Sequence, residues 1–142
     1  VLSEPAVTNI LSKKEDAKII FDFNEEWSKI TGIQMGYPQA SLIIKADLIE
    51  NNKEFVEKFI ETYVENMKWS SENPEQLGQY AEELEFGITQ DMVVKGIERM
   101  NMGPLYVENM REEYETYYKV LLDFAPNVIG GKLPDEGFYF ER

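Results

Sequence analysis

Between Asn51 and Met67 the chain has little choice but to be a helix. Phe55, Val56, Phe59, Ile60, Tyr63, Val64 and Met67 recur at i, i+3, i+4 spacing, and Asn51 with Glu54 has the form of a capping box. The pattern then restarts three times. Asn73 and Pro74 open a segment whose stripe is Leu77, Tyr80, Ala81 and Leu84; Thr89 opens one with Val93, Val94, Ile97 and Met100; and 105–124 presents Val107, Met110, Tyr114, Tyr117, Tyr118 and Leu121. The spacing therefore predicts at least four helices, the longest within 52–70. Gly96 weakens the third of these slightly, and Gly130, Gly131 and Pro134 make the tail irregular.

The first third reads differently. In VLSEPAVTNIL, Ser3 or Glu4 is a candidate N-cap, Pro5 suits a first helical turn, and Val7, Ile10 and Leu11 share a face. AKIIFDF, at 17–23, has the branched and aromatic composition of a strand, and NEEWSKITG reads as a helical turn closed by Gly32. Pro38 cannot donate to a ladder, so a second strand is expected from about 40 to 45. Two strands followed by a run of helices is a low ratio for a complete α/β domain. The chain is then either a mainly helical protein with a minor hairpin or the C-terminal half of an α/β protein, and an opening that lacks Met favours the second.

Composition sets the outer limits. At 142 residues, with 43% hydrophobic side chains, the chain can own a core and is not a disordered segment. Its 27 acidic residues against 14 basic ones leave a net charge of -13 and no basic cluster, which argues against nucleic acid as a partner. Histidine and cysteine are both absent, which removes the commonest general base, the serine–histidine relay, thiol nucleophiles and most transition-metal sites. No run is long and apolar enough to span a bilayer.

The order EPAVT, KIIFDF, GYPQASLIIKADLIENNKEFVEKFIETYVENMKW, NPEQL and IGGKLPDEGFYF resembles the C-terminal portion of ABC-importer solute-binding proteins, of the branch that includes nitrate, sulfonate, taurine and thiamine-precursor binders. The resemblance covers nearly the whole chain and rests on order and spacing rather than on one motif. It implies an α/β, two-lobed class II periplasmic-binding-protein-like fold, with residues 1–38 as the tail of lobe two and hinge, and 39–142 as the C-terminal part of lobe one. It further implies an extracytoplasmic protein that captures a small organic solute in the interlobe cleft and delivers it to a membrane ABC permease. No catalysis, cofactor or metal belongs to that reading.

Within it, Glu4 lies where a cleft carboxylate meets a ligand, Trp27 and Tyr37 are aromatics able to hold a flat solute, and Gln39 and Ser41, at the start of the returning strand, are placed to hydrogen-bond the ligand. Each has a plainer role: Glu4 complementing a helix start, Trp27 and Tyr37 packing in a core, Gln39 and Ser41 simply ending a strand. Glu82, Glu83 and Glu85 point different ways around a helix and lack the order of a calcium loop. Gly130 and Gly131 make only a weak anion-turn signal. The tyrosines of 106–118 read as packing surface. A second functional reading is a small acidic helical module that buries its apolar stripes against a partner protein. An exposed stripe would also favour self-association.

Overall fold

The computed structural model describes residues 1–141 and divides them into two units. The first joins Val1–Lys18 to Glu50–Pro104, and the second joins Ile19–Ile49 to the chain from Leu105 onward. Seven α-helices are ordered α1 (Ala6–Lys13), α2 (Phe23–Thr31), α3 (Ala46–Asn51), α4 (Lys53–Glu72), α5 (Pro74–Glu83), α6 (Gln90–Gly96) and α7 (Arg111–Phe124). Short 3-10 turns at Ile97–Met100, Val107–Asn109, Pro126–Ile129 and Glu136–Phe138 complete the described structure.

Among the described residues there is no strand, which corrects the expected strands at 17–23 and 40–45 and, with them, the α/β two-lobed fold. The physical reason is visible in both stretches. Asp22 caps α2 with its carboxylate, accepting from the N–H groups of Asn24 (2.8 Å) and Glu25 (3.3 Å), so Phe23 begins a helix instead of ending a strand. The remaining β-type residues find no ladder to join. Ile20 stays 75% exposed and Ile43 76%, and an isolated strand has too few hydrogen bonds and too little burial to hold itself extended.

In the first unit the core forms where α5 packs on α6. Ala81, Val93 and Ile97 are buried there, with Leu77, Ile88 and Met102 around them. The helix starts follow local chemistry. Thr89 accepts from the N–H of Met92 at 3.3 Å and opens α6, and Pro74 occupies the first turn of α5. Asn73 acts on the helix behind it, donating its side-chain amide to the carbonyl of Trp69 at 2.8 Å and closing α4. Helices α5 and α6 approach closely because residue 78 is glycine: a Cβ there would lie 2.6 Å from the Cα of Gln90.

In the second unit, α2 ends at Gly32 in the left-handed conformation, and α7 runs later in the chain. The tail is tied to α7 by Arg111. Its guanidinium meets Glu115 at 3.1 Å and Glu136 at 2.6 Å, and stands 4.7 Å over the ring of Tyr139. These ion pairs hold the Glu136 carboxyl below the usual range, first through the hydrogen bond from Arg111 and then through its charge.

Candidate functional site

The second unit gathers three aromatic side chains from separate stretches. Trp27 comes from α2, Tyr37 from the loop that follows it, and Tyr117 from α7. Tyr37 and Tyr117 stack at 5.7 Å between centroids, and Trp27 meets both edge-on, at 6.2 Å and 5.7 Å. With Phe23 and Ile30 they line an apolar hollow of about 290 Å³.

The local sequence explains how Tyr37 is delivered. The loop turns at Gly36, whose φ is +76°, and a Cβ there would run into the side chain of Asn24. Asn24 in turn accepts from the N–H of Tyr37 at 3.4 Å. Helix α2 thus clasps its own returning loop, and only glycine fits at the clasp.

Burial raises the Tyr37 phenol above its ordinary value, with lesser contributions from Tyr117 and Asp22. The phenol is neutral at physiological pH. The indole N–H of Trp27 is buried and lacks a hydrogen-bond partner among the described residues. Chemically, the hollow offers ring faces alone, because the indole N–H of Trp27 is withdrawn from its surface. It contains no nucleophile, no acid–base pair and no anchoring charge.

The other candidate residues are placed elsewhere. Ser41 shares a hydrogen bond of 3.0 Å with the hydroxyl of Tyr114. Gln39 lies exposed in the loop, and its side chain has no hydrogen-bond partner among the described residues.

Glu4 belongs to the first unit, where its carboxylate is 7% exposed and fully engaged. It accepts from the N–H of Thr8 at 3.1 Å and from its hydroxyl at 2.7 Å, and it pairs with Arg99. Arg99 also donates to the hydroxyl of Thr8, which is 2% exposed. Pro5 stands at the N-cap position, so Glu4, one residue earlier, supplies the acceptor the helix start needs. Burial pushes the Glu4 carboxyl up, but the hydrogen bonds from Thr8 and Arg99 and the charge of Arg99 outweigh it, and the net shift is downward. Gly96 makes room for this triad, since a Cβ there would lie 2.8 Å from the Thr8 hydroxyl and 3.1 Å from the Glu4 carboxylate.

The sequence reading missed Arg99 and Thr8 as partners of Glu4, and it assigned Tyr117 to a packing stripe. Arg99 carried no local signal, being 95 residues from Glu4. It also treated the apolar stripe of α4 as one face. The structure divides that stripe: Val56 is 1% exposed, whereas Phe55, Phe59 and Tyr63 are 61%, 43% and 43% exposed. These three rings follow one another up the helix, stacked at 6.4 Å and 6.1 Å.

Among the described residues no group of three or more acidic side chains is placed to hold a metal ion, and no helix is long and apolar enough to cross a membrane. No family model, curated protein or solved structure matches the chain.

Proposed function

We propose that the chain is an acidic helical interaction module that docks another protein on α4. The observation that carries this reading is the ladder Phe55–Phe59–Tyr63, three large aromatic rings aligned on a 20-residue helix and left substantially in water. Single exposed apolar residues are ordinary, but a contiguous aromatic ridge is the kind of surface that marks a docking site.

The test is whether the ridge is spare to the fold. Combined replacement of Phe55, Phe59 and Tyr63 by alanine is expected to lower unfolding free energy by about 3–4 kcal/mol in all, about 1 for the covered share of each ring with a smaller part from their stacking, and to leave the helical circular-dichroism signal intact. Buried aromatics cost ~3–5 kcal/mol each on truncation. A loss on that scale for each of the three rings in urea denaturation would mean the rings are core, and would sink the reading.

A second reading is favoured by the apolar hollow that Trp27, Tyr37 and Tyr117 line with Phe23 and Ile30. It keeps the capture of a small solute without the two-lobed cleft, the solute being a flat, apolar molecule. In a Trp69→Phe background, where Trp27 is the remaining tryptophan, such a solute should quench indole fluorescence saturably, and Tyr117→Ala should weaken the effect at least tenfold. Unchanged quenching in Tyr117→Ala would remove the hollow from consideration.

A further inference from the structure

Helix α4 also carries information about what docks on it. At 100° per residue, Phe55, Phe59 and Tyr63 cover about 80° of its circumference. On one side the ridge passes into the face of buried Val56 and half-buried Ile60 and Met67. On the other side, roughly a quarter of the circumference from Phe55, Glu54, Glu61, Glu65 and Glu72 fall within about 40° of one another, forming an acidic row along the helix. All four are exposed. Glu61 is matched at 3.3 Å by Lys58, which stands between row and ridge, while Glu54, Glu65 and Glu72 make no ion pair among the described residues.

We infer that the occupant of the ridge is a basic amphipathic helix of a partner protein. This rests on the interaction-module reading and names its partner class. An apolar stripe at i, i+3 or i+4, and i+7 on such a helix spans the ~12 Å between Phe55 and Tyr63, and lysine or arginine on the flank of that stripe comes to rest against the acidic row. A second copy of this chain is the poorer occupant. Each copy carries a net charge of -13, so pairing two ridges brings like-charged rows together. An anionic lipid surface meets the same repulsion.

Three labelled 18-residue synthetic peptides provide the test by fluorescence anisotropy: a leucine/lysine amphipathic helix, the same helix with glutamate for lysine, and a scramble of the first that keeps its charge but has no apolar face. The lysine helix is expected to bind at least tenfold tighter than either of the others. Its affinity should drop at least tenfold with Phe55→Ala/Phe59→Ala and severalfold with Glu61→Gln/Glu65→Gln, and fall with added salt.

Equal binding of the scramble reduces the effect to charge attraction and overturns the proposal. Equal binding of the glutamate helix, lost in the Phe55→Ala/Phe59→Ala variant, overturns the basic partner while leaving the docking module intact. A wild-type dimer in sedimentation equilibrium that this double variant dissociates assigns the ridge to self-association and also overturns it. Unfolding of the double variant by circular dichroism brings down the module reading itself.

Discussion

Replacing Glu4 with alanine is expected to destabilise the fold by roughly 2–3 kcal/mol at neutral pH, the usual scale for losing hydrogen bonds to a charged group. Without the carboxylate, the Thr8 hydroxyl loses its acceptor in a site where Thr8 is 2% exposed, and the Thr8 N–H loses its own. Arg99 keeps only its bond to the Thr8 hydroxyl. Glu4→Gln retains an acceptor but no charge, and should fall between wild type and Glu4→Ala.

The effect carries a pH signature. The folded-state pKa of Glu4 lies below its ordinary value of 4.5, so the unfolded state binds the proton more tightly. The stabilisation is therefore full above 4.5 and is lost as pH falls through the lower folded-state value. Urea denaturation of wild type and Glu4→Ala should show a difference that is constant from pH 7 to 5 and narrows below about 4.5. A difference that persists unchanged at pH 3 would show that the charge of Glu4 is not what holds α1 to Arg99.

The second large effect is expected at Gly78. In most exposed helices glycine to alanine stabilises by ~1 kcal/mol. Here the added methyl would meet backbone, 2.6 Å from the Cα of Gln90 and 3.0 Å from its carbonyl oxygen, and backbone cannot rotate away as a side chain does. Helices α5 and α6 would have to separate over Ala81, Val93 and Ile97, the core of the first unit. Gly78→Ala should therefore cost ~2–3 kcal/mol through overpacking, read as a lowered urea midpoint. Gly103→Ala, where a Cβ meets nothing within 4 Å, is the control and should change stability by less than ~0.5 kcal/mol. A Gly78→Ala protein as stable as its parent would mean that the two helices do not approach as closely as described.

What was legible in the sequence was what neighbouring residues decide among themselves. The long helix, the starts at Pro74 and Thr89, and the stop at Gly32 depend on residues within one turn, and α5, α6 and α2 lie where those signals put them. Helix α4 follows its apolar period, but the expected capping box of Asn51 and Glu54 does not open it, since its N-cap is Asn52, with no side-chain cap hydrogen bond, and Asn51 ends α3. Trp27 and Tyr37 stood out because they fall outside the helical stripes. Their meeting with Tyr117 did not, because Tyr117 repeats at helical spacing like any packing residue.

Everything that required a distant partner was settled by tertiary structure. The runs at 17–23 and 40–45 have strand composition, but a strand exists only if another pairs with it, and composition cannot supply the pair. Glu4 was recognisable as a helix-start carboxylate, while the arginine that makes it structural lies 95 residues away. The seven apolar positions of α4 span more of the helix than one packing surface can cover. Period alone places all seven on one side; only the packing around Val56 determined that the aromatic edge, Phe55, Phe59 and Tyr63, would be the part left facing water.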